Sequence, residues 1–141
     1  MSVEANKAVI RRLIDEVVNA GNLDAVDELL APTFVNHNPL PGATPDRDGF
    51  KQAFRNLHAA FPDLHAINSD LIAEGDRVVA LRGFEGTHEG PFMGVPATGK
   101  HIILDGITVF RVTNGHISER WSVLDMLGVM RQLGLLPEQA H

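Results

Sequence analysis

The sequence predicts an α+β fold in which helices pack on one face of a curved antiparallel sheet. Two observations indicate this class: helical periodicity dominates residues 3–61, and strand patterns then fill residues 65–124 without alternating with helices. A third observation bounds the size, because 141 residues with 44% hydrophobic content suit one globular domain spanning residues 1–141.

Three helices are predicted from apolar residues that repeat at spacings of three and four: residues 3–20, residues 22–30, and a third from Asp46 or Asp48 to Ala60. Gly21 can end the first helix in a left-handed cap, and Asn22 can cap the second. Residues 36–45 contain three prolines and one glycine, which predicts a loop before the third helix.

Four strands are predicted from residues that favour extended backbone, over about residues 65–74, 77–88, 100–113 and 116–124. Asn114-Gly115 is typical of a tight hairpin turn between the last two strands. A short closing helix is predicted over residues 126–133. Residues 86–99 are rich in glycine and proline yet contain Phe92, which suggests a lid or rim.

Composition narrows the possible partners. The net charge of -6, with only 12 Lys and Arg residues, argues against binding to nucleic acid or to an anionic membrane. The absence of Cys excludes disulfides and a thiol nucleophile. The N-terminus lacks a signal-peptide pattern, and no apolar run approaches the ~20 residues that span a bilayer. We therefore predict a cytoplasmic protein whose partner is a small molecule.

The best-known catalytic and ligand-binding motifs do not match. Residues 94–101 resemble a phosphate-binding loop, but His101 replaces the required Ser or Thr and a strand follows. The seven histidines form no closely spaced metal-binding pair, and no Gly-x-Ser-x-Gly motif occurs. We predict no metal and no cofactor, and a metal site assembled from distant residues remains the alternative.

Asp125 is the leading candidate for chemistry, because it lies in an apolar run where the strand pattern turns into a helix pattern. Unless a bulge intervenes, alternation along the last strand places it on the same face as Trp121 and turns Arg120 away. A carboxylate in an apolar pocket is costly, and such a setting suits a general base. The alternative is an N-cap, in which Asp125 accepts hydrogen bonds from amides of the closing helix.

His37, His88 and Asp105 are further candidates, because each lies in a glycine-rich or apolar context or beside short polar residues. For His37 the alternative is an exposed loop residue, and for His88 an exposed strand end. Asp105 shares a face with Ile107 by alternation, unless a bulge at Gly106 turns it outward.

Several stretches of the chain occur in a recognisable order: FVNHN (34–38), AFPDL (60–64), GTHEGPFMGVPATGK (86–100), FRVTNGHISERWSVLDMLG (110–128) and RQLGLLP (131–137). Together they resemble the SnoaL-like polyketide cyclases, also called the ester cyclase group. The resemblance covers almost the whole chain.

The resemblance implies the cone-shaped fold shared with nuclear transport factor 2 and scytalone dehydratase, in which N-terminal helices pack on the concave face of the sheet and enclose an apolar cavity. Cyclases of this family close rings in polyketide esters by an aldol reaction without a cofactor. The aspartate that serves them as acid and base maps onto Asp125, and pocket histidines map onto His37 and His88. A homodimer is expected by analogy.

The prediction is therefore a cofactor-independent acid/base enzyme for a small or medium apolar carbonyl or ester substrate, catalysing cyclisation, isomerisation or dehydration. Asp125 is the predicted base or acid, with His37 and His88 as its hydrogen-bonding partners. Substrate contacts are predicted at Trp121, Phe92, Asp105, Phe34 and Asn38. The alternatives are an epoxide or ester hydrolase in which Asp105 faces Asp125, and a small-ligand-binding module without catalysis.

Overall fold

The computed structural model describes residues 2–67 and 70–135. Its helices are α1 (Val3–Arg12) with a π-helical continuation (Leu13–Asn19), α2 (Asp24–Leu29), α3 (Arg47–Ala60) and α4 (Met126–Gln132). Its strands are β1 (Leu30–Asn36), β2 (His65–Ala66), β3 (Leu71–Glu74), β4 (Arg77–Ala80), β5 (Phe84–Thr87), β6 (His101–Leu104), β7 (Gly106–Thr113) and β8 (His116–Leu124). The predicted α+β class is confirmed.

The strands form two sheets that continue into each other. One has the order β1-β8-β7-β4-β3 and the other the order β2-β5-β6, and only the β1–β8 pair among them is parallel. The chain passes from β4 to β5 and from β6 to β7, so the sheet curls where these strands change sheets. Gly83 lies at this bend, and a Cβ there would be 2.0 Å from the carbonyl oxygen of Leu104. The bend therefore requires glycine.

The helical segments cover one face of the curled sheet and form the core with it. α1 and its continuation contribute Ile10, Leu13 and Val17, all at most 2% exposed. α3 contributes a row of aromatic and aliphatic side chains at positions 50, 54 and 57. These rows pack in one cluster with sheet residues such as Val78 and Ile117. The predicted helical faces are confirmed.

Most helix ends agree with the sequence. Asp46 caps α3 by accepting a hydrogen bond from the Gly49 N–H at 2.8 Å. Gly21 has the predicted left-handed backbone, with φ of 69°. The prediction for Asn22 is wrong: α2 begins after Leu23 without a side-chain cap, and the Asn22 N–H instead donates to the Glu16 carbonyl at the end of the preceding helix.

The strand predictions placed the hairpin correctly but missed the bends. Asn114 and Gly115 both have positive φ, as the predicted turn requires. The predicted strand 77–88 is divided around Gly83 and the predicted strand 100–113 at Asp105, because the chain changes sheets at both points. Within the predicted strand 65–74, β2 and β3 belong to different sheets. β1 was not predicted, since its burial does not alternate.

Two of the stretches that carry the family resemblance are locked together by Asp63. The Asp63 carboxylate accepts hydrogen bonds from the Thr87 N–H at 2.6 Å and from the Thr87 hydroxyl at 2.7 Å. These bonds hold the pKa of Asp63 below its usual range. The carbonyl of Ala60 also accepts from the N–H groups of Glu89 and Gly90, at 2.9 and 3.1 Å. The end of α3 is thereby fixed to the start of segment 88–99.

This contact predicts a specific loss of stability at acidic pH. Because the pKa of Asp63 is lower in the folded chain than in the unfolded chain, its contribution to stability is fully present above the ordinary aspartate pKa of 3.8. The contribution is lost as the pH falls through the folded-state pKa. Because Asp63 is exposed and water screens its charge, we expect Asp63→Asn to lower the free energy of unfolding by at most about 1 kcal/mol at pH 7. The difference from wild type should vanish at strongly acidic pH in urea titrations.

Asp70→Asn is the matched control, because Asp70 is an exposed carboxylate without a hydrogen bond to any other described side chain or backbone group. Its substitution should leave the free energy of unfolding at pH 7 close to that of wild type. An Asp63→Asn defect of equal size at every pH would mean that the carboxylate charge is not what stabilises the contact.

Candidate active site

A bulge in β8 decides which side chains of the last strand face the interior. Arg111 is paired with Glu119 and the next residue of β7, Val112, is paired with Ile117, which leaves Ser118 as an extra residue. After the bulge, Arg120, Ser122 and Leu124 line the interior. Trp121 and Val123 point to the outer face, where Val123 is 75% exposed.

The interior position of Arg120 is the main correction to the site prediction. Alternation correctly separated Arg120 from Trp121, but the Trp121 face is the outer face of the sheet. The inference that Trp121 shares a cavity wall with Asp125 is therefore wrong. The sequence gives no sign of this bulge, because serine at position 118 is common in regular strands as well.

Arg120 carries a buried positive charge. It is 9% exposed, and its Nη1 donates to Oδ1 of Asn36 at 3.3 Å. Its guanidinium carbon lies 6.0 Å from the ring centroid of Phe50. Burial lowers the pKa of Arg120 to about 10, so the group stays charged at neutral pH. Among residues 2–67 and 70–135, no carboxylate lies within ion-pair distance of it.

Two small spaces are lined by Arg120, and a larger groove adjoins the first of them. A small interior space of about 30 Å³ is bounded by Asn36, Asn38, Ser122 and Arg120 among others. A second, of about 50 Å³, extends past Arg120 toward the β4–β5 bend. Outside them lies a groove of about 710 Å³ between loop 40–43, α3 and residues 91–93. The groove and the first interior space share four lining residues: Leu40, Ala43, Ala53 and Leu57.

The linings are apolar apart from a few polar groups. Of the described residues that line the three spaces, the ionisable ones are Arg82 and Arg120, and none is Asp, Glu or His. Gln52 and Asn56 contribute amides to the groove and are bonded to each other at 3.0 Å. Within the described part of the chain, no group of three His, Asp or Glu side chains is arranged to hold a metal ion.

Asp125 caps α4. Its Oδ1 accepts from the Gly128 N–H at 2.9 Å, and its backbone N–H donates to the Asp105 carbonyl at 2.9 Å. The N-cap interpretation is thus confirmed. The side chain is exposed and borders an open depression of about 610 Å³ on the outer face, together with Asp105 and Val123. No histidine lines this depression, so Asp125 does not share an enclosed space with His37 or His88.

His37 lies on the outer face of the sheet. Its ring stacks on Trp121, with centroids 4.9 Å apart and planes 7° apart, and its Nε2 lies 3.1 Å from Oε1 of Glu119. The hydrogen bond from His37, together with nearby Arg111, lowers the pKa of Glu119. Arg77 also lies over Trp121, 5.5 Å from its ring centroid. His37 and Trp121 therefore belong to a polar cluster outside the cavity.

His88 is buried, so the alternative of an exposed strand end is wrong. Its Nδ1 lies 2.9 Å from the Thr98 hydroxyl, and its ring lies 5.6 Å from that of Phe61. The His88 backbone bonds to Lys100 and Gly99 across the same segment. His88 thus closes segment 88–99 on itself and does not line the groove or either interior space.

The remaining predicted contacts divide between the interior and the outer face. Phe92 lines the groove and packs edge-on against Phe61 at 5.2 Å. Asn38 borders the small interior space and accepts from the Ser122 N–H at 3.0 Å. Phe34 is core, 3% exposed. Asp105 is paired with Arg82 at 2.9 Å, which lowers the pKa of Asp105, and it faces outward.

The fold and the site define a class of protein: a curled sheet closed by helices around a small-molecule site, the fold of the nuclear transport factor 2-like proteins. The model of the SnoaL-like polyketide cyclases matches residues 8–133. The chain belongs to this family, and it is an enzyme of the cyclase type. Among its described helices, none is long and apolar enough to cross a membrane.

Individual relatives agree with this assignment. The chain is 32% identical to the aklanonic acid methyl ester cyclase DnrD of Streptomyces peucetius, over 89% of this chain and 88% of the relative. TsrD from Streptomyces laurentii superposes with a TM-score of 0.85 at 29% identity, covering 96% of this chain and 99% of TsrD. IdmH from Streptomyces antibioticus has a TM-score of 0.78 at 33% identity, covering 92% of this chain and 98% of IdmH.

Proposed function

We propose that this enzyme closes a ring in a small or medium-sized carbonyl or ester compound that lies in the groove and directs one oxygen toward Arg120. The observation that carries the proposal is the buried charge of Arg120, which lines a space adjacent to the groove and has no carboxylate partner among the described residues. Such a charge favours negative charge on a substrate oxygen. The groove volume of about 710 Å³ suits a compound of this size.

The proposed chemistry is an intramolecular aldol reaction. A base removes a proton from the carbon beside one carbonyl, the resulting enolate carbon bonds to a second carbonyl carbon, and the new alkoxide takes the proton back. Atoms balance without a redox partner, so we propose that no cofactor takes part. The bond-forming step conserves the mass of the substrate.

Asp125 is the proposed base, as in the family cyclases that the sequence resembles. Its chain neighbours Leu124 and Met126 line the first interior space and the groove, whereas the Asp125 side chain borders the outer depression. The proposal therefore requires this side chain to turn toward the groove. One carboxylate oxygen is used in the helix cap, and Oδ2 has no hydrogen-bond partner among residues 2–67 and 70–135. That oxygen is available for a proton. In this proposal His37 and His88 support the fold around the site.

The hydrolase alternative receives less support. It requires a second carboxylate facing Asp125 inside the cavity, whereas Asp105 is paired with Arg82 and borders the open outer depression. Neither interior space is lined by a described Asp or Glu. The described residues that line the two interior spaces therefore include no pair of carboxylates that could hold and activate a water molecule.

Turnover tests the proposal directly. Aklanonic acid methyl ester, named in the relative from Streptomyces peucetius, is a suitable first probe, alongside its free acid. We expect a product of unchanged mass and altered retention, formed faster with the protein than in buffer, by liquid chromatography with mass detection. The Arg120→Met protein should form it more slowly. A product lighter by one CH₂ unit, the free acid formed as methanol leaves, would instead indicate hydrolysis of the ester.

We also propose a homodimer formed through the outer face of the sheet. Ile72 is aligned across the strands with Trp121, and Ile107 is paired with Val123. Of these, Ile72, Ile107 and Val123 are 53%, 50% and 75% exposed. An apolar face of this kind is typical of a protein interface.

Sizing with light scattering at micromolar concentration should give the mass of a dimer, and Val123→Glu should give that of a monomer, because a carboxylate would be buried in the interface. Met93→Glu, at an exposed position on the groove side, is the control and should remain dimeric. A monomeric wild type at this concentration contradicts the proposed dimer.

A further inference from the structure

We infer that the compound bound by this enzyme carries an ionised carboxylate, which enters the small interior space and pairs with Arg120, while its rings stay in the groove. The inference rests on the proposed function and refines it, since it states the charge and the orientation of the substrate. The DnrD relative, by its name, acts on a methyl ester, whose ester group is neutral.

The first argument is the missing partner of Arg120. Burying a guanidinium costs several kcal/mol unless other groups replace its water. The described residues offer the Arg120 guanidinium one hydrogen bond, to Asn36 at 3.3 Å, and one ring contact, with Phe50 at 6.0 Å. In contrast, Arg12, Arg82 and Arg111 are more exposed, and each is paired with at least one carboxylate. The most buried of these four arginines is thus the one that lacks an anion.

The second argument is the direction of the amides around the space. Oδ1 of Asn36 accepts from both Arg120 and the Asn38 N–H, at 3.3 and 3.1 Å. Oδ1 of Asn38 accepts from the Ser122 N–H. Both amide oxygens thus accept from the protein, and the amide NH₂ groups make no hydrogen bond to another described residue. Together with the Arg120 guanidinium, they are donors that an anion in this space can use.

The third argument is size. A space of about 30 Å³ has room for a water molecule or a group of carboxylate size, and it is too small for a ring. The adjoining groove of about 710 Å³ accommodates the rest of the molecule. Leu57 and Ala53 line both spaces, so the two lie side by side, and the proposed compound occupies both. The planar fork of Arg120 matches the two oxygens of a carboxylate.

The test compares 2-naphthoate with methyl 2-naphthoate, which differ in charge and little in shape. At pH 7, calorimetry should show the acid binding to wild type at least about tenfold more tightly than the ester, since one charge-assisted pair contributes that much. Arg120→Met should abolish this preference and Arg120→Lys should reduce it. Arg12→Met removes an exposed arginine that is paired with Glu16 and lines none of the three spaces, and should keep the preference.

The results separate this inference from the proposed function. Equal binding of acid and ester to wild type, or a preference that survives in a folded Arg120→Met protein, overturns the carboxylate site. In that case ring closure of the neutral ester could still be measured, and Arg120 would act only on charge that develops during the reaction. If wild type binds the acid more tightly than the ester but closes no ring in any probe, the anion site is supported and the proposed cyclase function is contradicted.

Discussion

Arg120→Met is expected to raise the free energy of unfolding by about 1–3 kcal/mol, because it replaces an unpaired buried charge by an apolar side chain of similar length. The same substitution is expected to lower kcat/KM by about 10²–10³-fold, the usual cost of removing a group that stabilises negative charge on a substrate. A variant that is more stable and less active would show that the charge is retained for function. Urea unfolding and initial rates measure the two effects separately.

Two further variants make this result specific. Arg120→Lys keeps the charge but loses the planar fork, so turnover should fall only about tenfold. Arg12→Met removes an exposed ion pair with Glu16, so stability and turnover should both stay close to those of wild type. If Arg120→Met lost stability while keeping full activity, Arg120 would be a structural residue held by Asn36 and Phe50.

The fold was predictable because its main signals are local. The spacing of apolar residues fixes the buried face of a helix, as α3 shows with Phe50, Phe54 and Leu57. A turn such as Asn114-Gly115 is fixed by backbone conformations that few residues adopt. The bends at Gly83 and Asp105 were missed, because the alternation of side chains continues across them although the strands change partners. The point at which a strand leaves one sheet for the other depends on which strands it pairs with, and these are distant in the sequence.

The candidate site was less predictable for the same reason. One extra residue at Ser118 reverses which side chains of β8 face inward, and a shift of one residue moves every later side chain to the other face. Asp125 was identified from its position in the chain, and the cap that it forms agrees with that position. Arg120 had the right chemistry for a site, yet the sequence alone could not show that its surroundings contain no carboxylate. The absence of a nearby carboxylate depends on how distant parts of the chain pack around Arg120.

Asp125→Asn is expected to leave the melting temperature unchanged and to lower kcat by about 10²–10⁴-fold, if Asp125 is the base. Asparagine caps a helix about as well as aspartate but cannot take up the proton. Asp125→Ala should lose both functions, with a drop in stability of about 1 kcal/mol from the missing cap. Thermal unfolding and single-turnover rates distinguish the two substitutions.

Gly128→Ala supplies the complementary control, because it disturbs the cap while retaining the carboxylate. A Cβ at position 128 would lie 2.3 Å from Oδ2 of Asp125, so the Asp125 side chain must leave its present position. Alanine normally stabilises a helix relative to glycine by about 1 kcal/mol, and here we expect destabilisation instead. Wild-type turnover in a stable Asp125→Asn protein would assign Asp125 to the cap alone. Loss of turnover in Asp125→Asn, with turnover largely kept in Gly128→Ala, would separate proton transfer from capping, because only the first requires an ionisable group at this position.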